Sequence, residues 1–269
     1  MTEAVIAGHR TAWRVFGHGP RPALALHCSL AHAGAWAAVG ERLGDLLTMT
    51  AVDMPGHGRT ADWDGVADLH RLSTDIAAHF AAQGPVDLIG HSFGGTVALR
   101  LALERPERVR SLTLIEPVLF AAAHRADPAH YAADTAQAPF AQAWREGRRE
   151  DAAALFHAEW GNGIALDALP ERQRRYIVDR MGLIVAQDPY LAQDSAGLLR
   201  PGGLESLPMP VLLAEGGASP PVIGAIMGEL ARRMPHARRL VVPGAGHMLP
   251  ITHSAAVAAG LRAMLAEPT

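Results

Sequence analysis

The segment Val86-Asp87-Leu88-Ile89-Gly90-His91-Ser92-Phe93-Gly94-Gly95 runs from a short apolar stretch straight into a helical pattern, with no loop between them. The backbone therefore passes from strand to helix within Gly90–Gly94. The small residues on either side of Ser92 let the two elements approach without a steric clash. Ser92 sits at the apex of that turn, with its hydroxyl projecting beyond the end of the strand. Gly-x-Ser-x-Gly alone is a pattern that recurs by chance, and its strand-to-helix context is what makes Ser92 a candidate nucleophile.

The rest of the chain alternates in the same way. Residues 3–7 and 11–16 predict an antiparallel pair, and 23–27 is an apolar run of strand length. Further strands are predicted near 47–53, 86–91, 109–116, 210–215 and 238–242, and helices near 35–46, 69–83, 93–105, 220–234 and 251–266. Continuous apolar runs such as Leu112-Thr113-Leu114-Ile115 and Val211-Leu212-Leu213-Ala214 suit strands covered on both faces, and so predict a mostly parallel α/β sheet. At 269 residues with 49% hydrophobic content, the chain is long enough for one such core plus an insertion. Residues 117–206 have the rhythm of that insertion. They form alanine- and arginine-rich helical stretches broken at Asp127-Pro128, Gly161-Asn162-Gly163, Asp188-Pro189 and Pro201-Gly202-Gly203. The predicted organisation is a core of residues 1–116 and 207–269, with 117–206 covering the carboxyl end of the sheet.

Several classes of function are excluded. A net charge of −3, with basic pairs only as local as Arg148-Arg149 and Arg174-Arg175, predicts neither a nucleic-acid nor an anionic-membrane partner. The first residues lack the charged-then-apolar pattern of a leader, and no window approaches the roughly 20 apolar residues that span a bilayer, so the expectation is a soluble, cytoplasmic protein. All 24 basic residues are arginine, which excludes Schiff-base chemistry, a serine–lysine dyad and a Walker-type phosphate loop. The single cysteine, Cys28, allows no internal disulfide and reads as a small core residue. The histidines lack paired ligand spacing, and Gly90-x-x-x-Gly94-Gly95 is not a dinucleotide fingerprint, so neither metal nor cofactor is expected.

Four motifs carry a resemblance to α/β-hydrolase-fold proteins of the lid-bearing esterase and peptidase type. These are His27-Cys28-Ser29-Leu30 with Trp36 downstream, Asp53-Met54-Pro55-Gly56-His57-Gly58-Arg59-Thr60, the serine turn itself, and Gly244-Ala245-Gly246-His247-Met248. The resemblance covers nearly the whole chain and is weakest in the insertion. It implies an α/β-hydrolase fold with a mostly parallel eight-stranded sheet flanked by helices and a helical cap. It also implies Ser92 as nucleophile, His247 as base, and backbone amides of Phe93 and Ser29 as oxyanion donors. Cys28 stands where relatives usually carry glycine. His27, His57 and His91 correspond to residues that shape loops beside such a site.

The acid departs from the family pattern. The usual segment resembles Gly-x-x-Asp-Pro, whereas this chain reads Gly216-Gly217-Ala218-Ser219-Pro220, with serine in place of the aspartate. Serine cannot balance an imidazolium as a carboxylate does. Glu116, at the end of the strand after the nucleophile's, is the predicted replacement, as in certain haloalkane dehalogenases. It keeps the order serine, acid, histidine. Glu215 and Asp53 are the reserves. A serine at position 92 excludes the alkyl-ester chemistry of dehalogenases and epoxide hydrolases. The expected activity is hydrolysis of a small or medium carboxylic ester, with a small-molecule partner. The alternatives are amide or carbon–carbon hydrolysis, acyl transfer, or a ligand-binding homologue without catalysis. Trp144, Trp160, Tyr176, Met181 and Tyr190 could line a pocket or pack a core, and the sequence does not separate the two.

Overall fold

Ala7 and Gly8 both have positive φ, 50° and 77°, the geometry of a two-residue turn whose twist matches the strands it joins. They connect β1 (Thr2–Ile6) to β2 (His9–Phe16) and start an eight-stranded sheet. The computed structural model describes residues 1–127, 129, 138–161, 163–234 and 236–266. The remaining strands are β3 (Arg21–Leu26), β4 (Leu47–Val52), β5 (Val86–His91), β6 (Val109–Ile115), β7 (Val211–Gly216) and β8 (Ala237–Val242). Their order across the sheet is β1-β2-β4-β3-β5-β6-β7-β8. β2 runs antiparallel to both of its neighbours, and every pair from β4 through β8 is parallel.

The helices, in chain order, are α1 (Ala37–Arg42), α2 (Leu69–Phe80), α3 (Phe93–Glu104), α4 (Phe120–Ala126), α5 (Ala138–Arg145), α6 (Arg149–Trp160), α7 (Glu171–Asp179), α8 (Met181–Leu191), α9 (Pro221–Arg233), α10 (Leu249–Thr252) and α11 (Ser254–Leu265). Strand side chains alternate between two cores. Leu24, Leu88, Leu112, Leu114 and Leu213 pack with α2, α3 and α9, while Ala25, Ile89, Ile115, Leu212 and Ala214 pack with α1 and α11. Every residue of β5 and β7 is buried, as in parallel strands covered on both faces, and the carboxylates among them, Asp87 and Glu215, are each paired with arginine.

Three boundaries differ from the periodicity. The helix expected over 35–46 is a 3-10 turn, Ala33–Trp36, followed by the short α1, because Gly44 must turn to accept the His18 N–H at 2.8 Å. The last helix is interrupted at His253, whose φ and ψ of −129° and 38° are not helical. Asp188-Pro189 does not break its helix: Pro189 lies within α8, two residues before its end, so the helix continues past it at the cost of the bond its N–H would have made to the Val185 carbonyl.

Between β6 and β7 every described regular element is helical. Pro128 and Asn162, at two of the predicted breaks, lie outside the described residues. The helical segment is fastened over the β4 loop. Arg180 Nε donates to the Gly56 carbonyl at 2.9 Å and stacks on Tyr176 at 4.1 Å, and the Gly58 N–H donates to the Tyr176 hydroxyl at 3.3 Å. Among the described residues, no helix is long and apolar enough to cross a membrane.

The opposite end of the sheet is held by charge. Asp87, with only 2% of its side chain exposed, accepts from Arg21 on β3 at 2.9 Å and from Arg110 and Ser111 on β6 at 3.0 and 2.8 Å. Removing one partner of a buried ionic cluster leaves the others uncompensated. Asp87→Ala is therefore expected to lower stability by about 3 kcal/mol, read as a drop in urea midpoint at unchanged m-value.

Candidate active site

The functional edge is set by the last two rungs of the parallel ladder. The Ser92 N–H donates to the Ile115 carbonyl at 2.9 Å, and the Glu116 N–H donates to the Ala214 carbonyl at 3.0 Å. Directly after these bonds both residues take left-handed backbones, with φ of 56° and 44°. Non-glycine residues pay about 1–3 kcal/mol for such a conformation, and here the sheet below and the elements above enforce it. At the serine turn there is no room for larger neighbours. A Cβ on Gly90 would lie 2.4 Å from the Gly94 carbonyl oxygen, and one on Gly94 would lie 2.4 Å from that of His27.

His247 arrives from the loop after β8. Its Nε2 lies 3.0 Å from Ser92 Oγ, and its Nδ1 lies 2.7 Å from Glu116 Oε2. Glu116 is fully buried, and its second oxygen, Oε1, accepts from the Gly216 N–H at 2.6 Å and the Ser219 hydroxyl at 2.5 Å. With Glu116 accepting the Nδ1 proton, the Nε2 lone pair is left to accept from the serine. Neither reserve carboxylate shares this arrangement. Asp53 accepts from the amides of Ala33 and Arg59, at 2.6 and 2.9 Å, and so organises the loop after β4. Glu215 pairs with Arg239.

The Phe93 N–H, first in α3, has no acceptor within its helix. Cys28–Ala31 form a turn closed by the Ala31 N–H on the Cys28 carbonyl at 3.2 Å, with Leu30 at φ 63°. Ser29 occupies the second position of that turn. Its side chain donates to Gln187 Oε1 on α8 at 2.8 Å. Cys28 is buried, and burial raises its thiol to about 12, so it is not a thiolate beside the serine.

A cavity of about 690 Å³ opens over Ser92 and His247. Its walls are mostly apolar, with the rings of Phe120, Phe140, Phe156, Trp144 and Trp160, and Arg145, Asp188 and Gln187 among the polar lining. The Trp160 ring stands edge-on to His247 at 4.9 Å. Of the five aromatic and methionine residues left unassigned by sequence, Trp144 and Trp160 line this cavity. Tyr176 serves the loop contact described above, Met181 is fully buried in a small core within the helical segment, and the Tyr190 ring lies 5.2 Å from that of His70. Phe120, Phe140, Phe156 and Gln187 were not singled out by sequence, because their proximity to Ser92 depends on how separate helices fold back over the sheet. No group of three or more histidine, cysteine, aspartate or glutamate residues among the described residues could hold a metal ion.

A profile described as "Alpha/beta hydrolase family" matches residues 15–260. The chain is 35% identical over 104 residues to a protein named Lipase LipV from Mycobacterium tuberculosis, a stretch covering 38% of this chain and 39% of that protein. It is 38% identical over 99 residues to the pimeloyl-[acyl-carrier protein] methyl ester esterase of Nitrosomonas europaea, covering 37% of this chain and 38% of that one. The matched stretch thus spans well under half the length of either relative. An alpha/beta hydrolase structure from Sphaerobacter thermophilus superposes with a TM-score of 0.69 at 25% identity, covering 98% of this chain and all 100% of the other.

Four buried histidines brace the site in neutral form. His27 Nδ1 donates to the Cys28 carbonyl while its Nε2 accepts the Met54 N–H, His57 donates to the Pro55 carbonyl, and His91 donates to the His247 carbonyl. His70, beneath Phe93, accepts from Arg100 and donates to Thr96. Burial is the main cause that lowers His27 to about 4 and His57 and His70 to about 3, and it drives His91 well below its ordinary value near 6.5. Unfolded, all four take up protons near pH 6.5, so below that pH the unfolded state binds more protons than the native one. The stability they allow is complete above pH 6.5 and is lost as the pH falls. Each costs about 1.4 kcal/mol per pH unit, approaching about 8 kcal/mol for all four near pH 5. Against a typical domain stability of about 5–15 kcal/mol, cooperative acid unfolding is expected between about pH 5.5 and 4.5. Circular dichroism across that range checks it, and an unchanged melting temperature at pH 4.5 would contradict the neutral assignment.

Proposed function

The chain belongs to the alpha/beta hydrolase family, and from that premise we propose that it is a serine hydrolase cleaving a small or medium carboxylic ester through an acyl-enzyme. The observation that carries this reading is the unbroken sequence Ser92 Oγ, His247, Glu116, joined at 3.0 and 2.7 Å and roofed by an apolar cavity.

In this mechanism Ser92 Oγ attacks the ester carbonyl carbon while its proton passes to His247 Nε2. Glu116 holds Nδ1–H and balances the imidazolium. The tetrahedral oxyanion is received by the N–H groups of Phe93 and Ser29, both fixed before substrate arrives. As the carbon–oxygen bond breaks, Nε2–H gives its proton to the departing alkoxide, leaving the acyl group on Ser92. Water then repeats the sequence with His247 as base, releasing the carboxylic acid and restoring the serine. Residues 117–206 act as the cap on a core of 1–116 and 207–269, excluding bulk water and presenting aromatic walls to the substrate's apolar group. Two relatives named as a lipase and a methyl ester esterase support an ester as the bond cleaved.

A fluorophosphonate tests the nucleophile without knowledge of the natural ester. One covalent adduct by intact mass on the wild type, and none on Ser92→Ala, is the expected result. A folded wild type that forms no adduct would defeat the proposal. Glu116→Gln keeps shape but offers the wrong hydrogen-bond character to Nδ1, and it should lower kcat by about four powers of ten. Turnover within a few-fold of wild type would remove Glu116 from the role.

A further inference from the structure

Glu116 reaches the histidine from β6 with three side-chain torsions to fix, and a free carboxylate on so long a stem would sample several orientations. One of its oxygens is tethered to His247. The other is gripped from β7 by the Gly216 N–H at 2.6 Å and by the Ser219 hydroxyl at 2.5 Å. Gly216 contributes only backbone, so among the described residues Ser219 is the one side chain besides His247 that holds the carboxylate. The turn carrying it is rigid on both sides. Gly217 N–H donates to the Val242 carbonyl at 2.9 Å and Ala218 N–H to that of Ala245 at 2.8 Å, which joins this turn to the loop bearing His247. Ser219 N–H closes back on the Gly216 carbonyl at 3.2 Å, and Pro220 follows with its ring-fixed φ of −51°.

We infer that Ser219 is a positioning residue, whose hydroxyl donates to Glu116 Oε1 and so aims Oε2 at His247 Nδ1 while shielding part of the carboxylate charge. This rests on the Ser92, His247, Glu116 reading above. It gives a direct role to the position where the family pattern leads one to expect the acid itself. The titratable or charged groups around His247 are Glu116 at the end of β6 and His91 at the end of β5, together with Cys28, and across the cavity His124, Arg145 and Asp188. Of these, Glu116 is the one hydrogen-bonded to Ser219 among the described residues.

The experiment compares wild type, Ser219→Ala and Ser219→Thr with p-nitrophenyl acetate and butyrate as probes, recording kcat, KM, the pH profile of kcat/KM, melting temperature and fluorophosphonate labelling. Ser219→Ala should melt within a few degrees of wild type, with KM within about twofold and kcat about tenfold lower, since a charge-assisted hydrogen bond is lost while the Gly216 donor remains. The less shielded carboxylate attracts the imidazolium more strongly, so the acidic limb of kcat/KM should move up by about half a unit. Ser219→Thr, which keeps the hydroxyl, should restore both. The inference is overturned if Ser219→Ala stays within twofold of wild type in kcat with its acidic limb unmoved. It also falls if kcat drops while the limb stays fixed and threonine gives no recovery, the pattern of a merely structural loss. A wild type that neither labels nor turns over either ester defeats the underlying functional reading, a result separable from both.

Discussion

A fully buried carboxylate has to be met by hydrogen-bond donors or it takes up a proton, and the arrangement around Glu116 answers that demand with three donors from two separate parts of the chain. His247 supplies one donor from the loop after β8, and Gly216 and Ser219 supply two from the end of β7. Each of those donors is in turn placed by the ladder or by bonds between neighbouring loops. Ser92 then depends on the histidine, and the histidine depends on the acid. The alignment of the whole edge follows from keeping one charge solvated by protein instead of water.

The backbone makes the same point. Ser92 and Glu116 are successive solutions to one geometric problem, in which a residue must close the last rung of a parallel ladder and then turn sharply away. Both do so with positive φ at non-glycine positions. Such strain persists only where the surroundings over-determine it. Around Ser92 those surroundings are the contacts between Gly90, Gly94 and the β3 loop. Around Glu116 they are Pro117, packed against Gly95, and the buried run from Val118 into α4. The neutral histidines stiffen the same loops, because each donates its ring N–H inward and none can take a second proton without losing an acceptor or entering a dry site charged.

Much of this was legible in the sequence because it is local. The turn at Gly90–Gly94, the apolar runs of β5, β6 and β7, and the Asp53 loop are all specified by residues adjacent in the chain, and their physics is steric or periodic. The placing of Glu116 at a strand end could be read for the same reason. What could not be read was tertiary. Nothing near Ser219 in sequence announces that its hydroxyl reaches a carboxylate 103 residues away, and nothing in α8 marks Gln187 as the partner of Ser29. The helical segment hid its pocket because aromatic side chains at helical spacing look alike whether they face a cavity or a core. Trp160 and Met181 both read as apolar, and only the fold separates the wall from the interior. Pro189 misled because a proline-bearing pair reads as a break, whereas the helix here runs two residues beyond it.

The position of Glu116 has a consequence for the helical segment itself. Pro117, Val118 and Leu119 connect Glu116 directly to α4, so the residue hydrogen-bonded to His247 also follows β6 immediately and opens the helical segment. At the far side of the cavity, Trp160 from α6 rests edge-on against the His247 ring. The same helical segment therefore meets the site twice, once through the backbone that carries Glu116 and once through a ring on His247. A segment that only screened the cavity could shift at little cost. One rooted at Glu116 and leaning on His247 cannot, because a shift of α4 or α6 would be felt at Nδ1 or at the imidazole face. Coupling of this kind makes the shape of the cavity and the alignment of the hydrogen-bonded chain a single packing problem, with Phe120, on the first turn of α4, belonging to both.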